Sequence, residues 1–401
     1  MVSALTVLAA AAPAGAAKPV GKVREIAPEL AHEPVIAHRA KRDEYLVAYT
    51  LQNPESREVT LVSQRVSRSG TLVGPRVPVA QLSPDAPPQG LALEYNPRRD
   101  EYLVIWRAAT AAGNAPHEIY GLLLNAAGKP VGSQATLVRA SEPGLRPVTQ
   151  AAGPPALAHD GRGGYFVAWA TAAGFTDHAV AGRPVSRSLK RGTARKLTTR
   201  NGSITGYTIA ADPSGYLVAS WIGGPEGSQG LFTDLVDRAG TRRRPTFRVH
   251  SPGGDMELAR NTRTGRFALA WQEDRSIMDS DEPMRVQQLD SAGRSLGPRS
   301  VVPPYKDHRR TAIESLSYNR AANEYVLGWI GVAHPDPTTV RTRSSLRSLT
   351  GAGAKPFGPV SLPAGLFGPW AGASTSAARW LVMSSTPSGG LVGQLYAPSG
   401  R

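Results

Sequence analysis

Apolar positions in this chain come in short consecutive runs, not in the three-to-four spacing of amphipathic helices. One five-residue signature returns throughout: Tyr45-Leu46-Val47-Ala48-Tyr49, Tyr102-Leu103-Val104-Ile105-Trp106, Tyr165-Phe166-Val167-Ala168-Trp169 and Tyr216-Leu217-Val218-Ala219-Ser220-Trp221, the last with one residue more. Phe267-Ala268-Leu269-Ala270-Trp271, Tyr325-Val326-Leu327-Gly328-Trp329 and Trp380-Leu381-Val382-Met383-Ser384 complete the set. The first residues stand at 45, 102, 165, 216, 267, 325 and 380, so the copies lie 57, 63, 51, 51, 58 and 55 residues apart. An apolar run of this length, aromatic and β-branched in character, reads as a strand buried on both faces. Recurrence at this length suits one four-stranded propeller blade per copy.

The residues around each signature supply the other strands. Ahead of it stands a shorter apolar stretch and a turn, as in Leu91-Ala92-Leu93-Glu94-Tyr95 before Asn96-Pro97-Arg98-Arg99-Asp100, or Ile209-Ala210-Ala211 before Asp212-Pro213-Ser214-Gly215. Asn, Asp, Pro and Gly give these turns their backbone, so the pairs read as hairpins. After a variable loop comes a third strand ending in a glycine turn, Gly121-Leu122-Leu123-Leu124 then Ala127-Gly128, or Val286-Gln287-Gln288-Leu289 then Ala292-Gly293. A fourth strand comes next, such as Phe247-Arg248-Val249. The last repeat stops after its third strand, Leu391-Val392-Gly393-Gln394-Leu395, while Val20 to Ile26 precede the first inner strand, Pro34-Val35-Ile36-Ala37, as an orphan. The expectation is an all-β, seven-bladed β-propeller over residues 18–401, with residues 20–26 pairing beside 391–396 to close the ring.

Taken together, Tyr102 to Trp106, Ile119-Tyr120-Gly121 and Asn125-Ala126-Ala127-Gly128 resemble the repeat of exported bacterial β-propeller proteins. The resemblance spans nearly all of the chain after its first residues. It implies a propeller fold and export, and it carries over no catalytic residue.

Composition agrees with a foldable β protein: 41% hydrophobic, 19% charged, with Gly 42 and Pro 34 marking many turns. Residues 1–17 read as a signal peptide, an apolar run from Val2 to Ala12 followed by Pro13-Ala14-Gly15-Ala16-Ala17, although the usual basic start is missing and a frayed apolar tail is the alternative. That run is too short to span a bilayer comfortably, so the protein is expected to be secreted, with no transmembrane segment. Zero cysteines exclude disulfides, thiolate metal sites and a cysteine nucleophile. The closed ring is expected to be a monomer.

Candidate chemistry is sparse. Gly293-Arg294-Ser295-Leu296-Gly297 has the form of a hydrolase nucleophile elbow, but the repeat places it in the turn also occupied by Gly70 to Gly74 and Gly128 to Gly132. Gly351-Ala352-Gly353 falls in the corresponding turn and is no better as a phosphate loop. The eight histidines, at 32, 38, 117, 159, 178, 250, 308 and 334, show no zinc-site spacing, and no cofactor is expected. Asp274, Asp279, Asp281 and Glu282 form the densest acidic cluster, a weak calcium candidate. A salt bridge from that loop to the basic stretch Lys306, His308, Arg309 and Arg310 is the favoured reading. Trp106, Trp169, Trp221, Trp271 and Trp329 are assigned to packing between blades, not to sugar stacking or nucleic acid.

The formal charge of +15 has two readings, an anionic partner or an arginine-rich genome. Its placement is informative, because the turns from third to fourth strands hold Lys190, Arg191, Arg238, Arg242, Arg243, Arg244, Arg294, Arg347 and Lys355. Sharing one face, they would form a positive rim for an anionic cell-envelope polymer or glycan. Ordinary solvated turns are the favoured reading of these bases. The leading expectation is a non-enzymatic binding or scaffold module, with segments 107–118, 170–179, 272–283 and 330–339 as recognition loops. The other is a polysaccharide hydrolase or lyase with carboxylates around the central channel.

Overall fold

The computed structural model describes residues 17–398 except 29, 85–87, 111–115, 143–144, 146, 148–153, 173–177, 199–201, 224–228, 251–254, 273–282, 303–309, 337–338, 352–359 and 364–365. The first sixteen residues, with most of the expected signal peptide, therefore lie outside the described part. Within it every regular element is a strand, and the strands form seven antiparallel four-stranded sheets. Six of the sheets take their strands in chain order. The seventh takes Phe367–Ala373, Trp380–Ser385 and Leu391–Ala397 from the end of the chain and Lys18–Ala27 from its beginning. The chain is a seven-bladed β-propeller.

The recurring signature is the second strand of every blade. Tyr45 to Tyr49 are fully buried, as are Leu103, Val104 and Ile105. This burial follows from position, since a second strand has a neighbour on each side within its sheet and another blade against each face. Trp106, Trp169, Trp271 and Trp329 are at most 2% exposed and Trp221 is 9% exposed, so the tryptophans fill the space between blades as the repeat predicted. Their apolar neighbours belong to successive blades; Trp106, for example, joins Leu61 and Val79 of blade 1 in one cluster.

Ring closure matches the predicted pairing. Lys18 lies opposite Ala397, Val20 opposite Leu395, Glu25 opposite Val392 and Ala27 opposite Leu391. The first strand also carries the local signature of a fourth strand. In blades 1, 2 and 5 that strand begins with an apolar residue and a glycine of positive φ, Val73-Gly74, Val131-Gly132 and Leu296-Gly297, at 69°, 75° and 64°. A bulge comes after each pair. Val20-Gly21 repeats the arrangement with φ 74° and a bulge before Arg24. The third-strand glutamine repeats as well: Gln64 Nε2 donates to the Gly74 carbonyl at 3.2 Å, Gln287 to Gly297 at 3.3 Å and Gln394 to Gly21 at 3.2 Å. Val20 to Ala27 are thus the fourth strand of the last repeat, displaced to the other end of the chain.

Three sequence expectations are revised. Arg347 is not in a turn; it lies in the third strand of blade 6 (Thr339–Thr350), opposite Leu327, and is buried. Segment 330–339 is not a loop, because Glu324–Asp336 and Thr339–Thr350 extend it into a long hairpin. Arg310 begins the inner strand of blade 6 (Arg310–Asn319) and does not belong to the connection before it. A further consequence concerns Gly21, which has no neighbour within 4 Å of an added Cβ, so a side chain there meets only backbone strain. Gly21→Ala is expected to cost about 1–2 kcal/mol through its left-handed conformation, read as a lower midpoint in denaturant melts. Removing residues 18–27 is expected to leave the Leu391–Ala397 edge open and make the protein self-associate, read by light scattering.

Candidate functional site

Antiparallel order puts the first-to-second and third-to-fourth turns at one end of every blade, here the turn face. The connections between second and third strands, and those between blades, emerge at the other end. The predicted rim residues Lys190, Arg191, Arg242, Arg243, Arg244 and Arg294 are all exposed in or next to the outer turns of this face. Arg294 is braced by the Phe247 ring, 4.9 Å from its guanidinium carbon. Arg238 is half-buried, and Lys355 lies outside the described residues. So do Asp274, Asp279, Asp281, Glu282, Lys306, His308 and Arg309. Ser295 begins a strand opposite Leu289, with a strand on both sides of its turn, so it is not on a strand-to-helix elbow.

The sequence reading missed half of this face. The inner turns add exposed Lys41 and Arg42 in blade 1, Arg98 and Arg99 in blade 2, Arg162 in blade 3 and Arg320 in blade 6. Acids occur in the same turns, but their side chains are turned inward. Asp160, Asp237 and Asp290 accept backbone N–H groups of their own turns at 2.6–2.9 Å. Asp100 and Asp43 belong to clamps between blades. Bases therefore stand in solvent while most of the acids are spent on shape.

Those clamps run the whole way round. Arg39 of blade 1 donates to both carboxylate oxygens of Asp100 in blade 2 at 2.7 Å. Glu94 and His159 lie 3.8 Å apart between blades 2 and 3. Arg238 donates to the Asp160 carbonyl at 3.3 Å between blades 3 and 4, and Asp212 and Arg260 lie 3.6 Å apart between blades 4 and 5. Asn261 donates to the Gly351 carbonyl at 3.1 Å, and Asn319 to those of Ala377 and Arg379 at 2.8 Å. At the closing seam Ser374 donates to Asp43 at 2.8 Å, and the Thr375 N–H donates to His38 Nδ1 at 3.1 Å.

The axis holds a different chemistry. The seven inner strands enclose a cavity of about 280 Å³. Opposite the fourth residue of each signature stand, in blade order, Val35, Ala92, Ala156, Thr208, Glu257, Ser315 and Trp370, and all seven line it. A wider recess of about 520 Å³ lies at the turn-face end, bounded by Glu94, His159, Asp160, Asp212, Arg238 and Arg260. Burial pushes the Glu94 carboxyl up to about 8. Burial, then the charges of Glu314 and Asp255, pushes Glu257 up to about 8. Burial, then Asp255, pushes Glu314 up to about 7. His159 is lowered by burial, and its Nδ1 accepts the Gly161 N–H at 3.0 Å, which leaves the ring proton on Nε2 towards Glu94.

Bulges shape the inner strands on the connection side of that layer. They fall between His32 and Val35, Gln89 and Leu91, Ile204 and Gly206, Ile313 and Ser315, and Phe367 and Trp370. Glu314 is the extra residue in blade 6. In blade 1, the Glu33 carboxylate accepts the N–H of Gly90, the bulge residue of blade 2, at 2.8 Å. A bulge bends its strand and re-aims the side chains beyond it. The sequence signal for Glu257 was positional, since a glutamate occupies a place that other repeats give to Val, Ala, Thr, Ser or Trp.

A scan against protein-family models and a search of curated proteins find no match. Among solved structures the chain is similar to the Dos1 propeller, at 12% identity over 96% of both chains with a TM-score of 0.52. It also aligns with an acylaminoacyl peptidase of Pyrococcus horikoshii, at 9% identity over 89% of this chain and 49% of that one, TM-score 0.45. An N-acetylgalactosamine deacetylase from F. plautii aligns at 10% identity over 96% and 95%, TM-score 0.45. The likeness to the Dos1 propeller is one of fold.

The Arg39 clamp gives a test of how the face is held. Arg39 holds the Asp100 carboxyl below its ordinary value, aided by Tyr95. A depressed carboxylate contributes stability above its unfolded value of about 3.9, and that contribution is lost as pH falls through the folded value. Asp100→Asn is expected to cost about 1–3 kcal/mol at neutral pH. Denaturant melts across pH should show the two proteins converging in acid.

Proposed function

We propose that this propeller is an exported, non-enzymatic binding module that holds an anionic cell-envelope polymer or glycan against its turn face. The observation that carries the reading is the division of labour among the turns: exposed arginines and lysines on both inner and outer turns, with acids of the same turns engaged in clamps or in their own backbone. A rigid ring presents those bases at fixed spacing, which suits a repeating anion better than a small one. The clamps support the reading because they fix the turns without consuming Lys190, Arg191, Arg98 or Arg99 as polymer contacts.

The test is a binding screen of anionic wall polymers and acidic polysaccharides at two salt concentrations. Affinity is expected to fall as salt rises, because exposed charges are screened beyond about 8 Å at physiological ionic strength. Replacing Arg98, Arg99, Lys190 and Arg191 together by serine should weaken binding severalfold and flatten the salt dependence. Binding that ignores salt removes the proposal.

A second reading is favoured by one observation, the carboxyl groups at the axis. A glutamate that stays protonated at neutral pH can donate a proton to a glycosidic oxygen, and a second carboxylate can act as base or nucleophile. Glu257 and Glu314 would carry these roles. It ranks second because an acid pair becomes catalytic only with a placed substrate. Release of reducing or unsaturated ends from a polysaccharide panel, abolished by Glu257→Gln, is its expected signature; no release from any of them eliminates it.

A further inference from the structure

The axial cavity has an asymmetric wall. At the level of Glu257, blades 2 and 3 offer Ala92 and Ala156, blade 1 offers Val35, and blade 7 offers the indole of Trp370. Trp370 is half-buried and is set in place by the bulge before it. Gly368, at φ 68°, lies beneath its ring, and an added Cβ would come within 2.2–2.6 Å of the indole. No larger residue fits there with the ring as it stands. Ser315, between the two blades, is already engaged, donating to the Pro369 carbonyl at 2.7 Å and accepting the Ala371 N–H at 3.1 Å.

Glu257 is the unusual group. It is half-buried, and the backbone N–H of Leu258 donates to it. Its remaining surface opens into the cavity. The charged and titratable groups around it are Glu314 on the adjacent inner strand and Asp255 just before its own, both acidic, with Tyr207 on the other side in blade 4. Arg260, further along the same strand, is turned to Asp212 at 3.6 Å. Glu257 is half-buried with Glu314 on the adjacent inner strand, and among the described residues no cation stands beside its carboxyl, so an ammonium in the cavity would meet an acid whose charge it can take.

We propose that the axial cavity binds an organic ammonium group with an apolar body, its charge on Glu257 and its body against Trp370 and the aliphatic wall. A cation that displaces the Glu257 proton gains the carboxylate as its counter-charge, which a neutral sugar cannot do. Among the described residues no three His, Asp or Glu side chains converge closely enough to hold a metal ion, and the largely aliphatic lining suits an organic cation. An aromatic face beside a carboxylate is the combination that recognises such cations. The lining of Val35, Leu91, Leu93 and Leu157 takes the rest of the molecule. This inference goes beyond the polymer-binding reading and rests on different residues.

The experiment is calorimetry on the full chain with 1,6-diaminohexane and tetramethylammonium as probes, and with 1,6-hexanediol and glucose as neutral controls. Both cations should bind and both neutral compounds should not. Glu257 is held protonated towards neutral pH, so cation binding must expel its proton. Affinity should therefore rise with pH up to about 8 and level off above. At neutral pH the binding enthalpy should change with the ionisation heat of the buffer. Glu257→Gln should weaken binding at least about tenfold without lowering the melting temperature, since it removes a desolvated acid. Trp370→Leu and Gly368→Ala should each weaken it less, the second by displacing the ring. The serine variant of the turn face should bind the amines unchanged while binding the polymer severalfold more weakly, which separates the two proposals. Equal binding of hexanediol or glucose, affinity independent of pH, undiminished binding by Glu257→Gln, or no binding of either cation each overturns the inference.

Discussion

A ring of radial sheets stays closed only while its first and last blades are tied together, and here that condition rests on one pairing, Lys18–Ala27 along Leu391–Ala397. Everything else in the molecule assumes it. Each second strand is buried because a blade stands on either side, and blades 1 and 7 have two neighbours only when the seam is shut. With no cysteine in the chain, hydrogen bonds and packing must hold that seam. The fold concentrates both there: the displaced strand with its Gln394 bond to the Gly21 carbonyl, the His38 and Ser374 contacts at the turn face, and a cluster that joins Tyr45 and Tyr49 to Leu381, Met383 and Leu395.

The same constraint sorts the charges. A blade is wedge-shaped, so polar groups near the axis crowd together while those on the turns spread apart. On the turn face the crowding is answered by polar clamps at all seven joints, and the bases that remain point to solvent. At the axis no clamp of that kind holds Glu257 or Glu314 among the described residues, and both are half-buried beside like charge. A strongly basic protein thus keeps an acidic core to its channel, and the two regions would attract partners of opposite sign.

How far the candidate sites were readable differs between the two regions. Lys190, Arg191 and Arg294 were legible because the repeat fixed which turns share a face, and turn residues lie outside by default. The inner-turn bases Lys41, Arg98 and Arg320 are implied by the same topology and were missed for want of counting both sets of turns. The channel carboxylates were illegible for a different reason. Glu94, Glu257 and Glu314 lie in different blades, 57 to 220 residues apart along the chain in any pairing, and no local spacing brings them together. Arg347 shows the opposite failure: it lies opposite the third signature residue, Leu327, the mid-strand place that Gln64 takes in blade 1 and Gln287 in blade 5, and not in the turn that follows.

Sequence alone determined the fold class, the number of blades, the second strands with their tryptophans, and the pairing that closes the ring. These are properties of a repeat, in which each unit states its own strand order and the period counts the units. Only the tertiary structure decided where charge is exposed and where it is enclosed. The bulge register that seats Trp370 over Gly368, the clamps that turn Asp43 and Asp100 away from solvent, and the meeting of Glu257 with Glu314 all arise between blades. Such contacts depend on how wedge-shaped sheets converge on an axis, which no stretch of consecutive residues encodes.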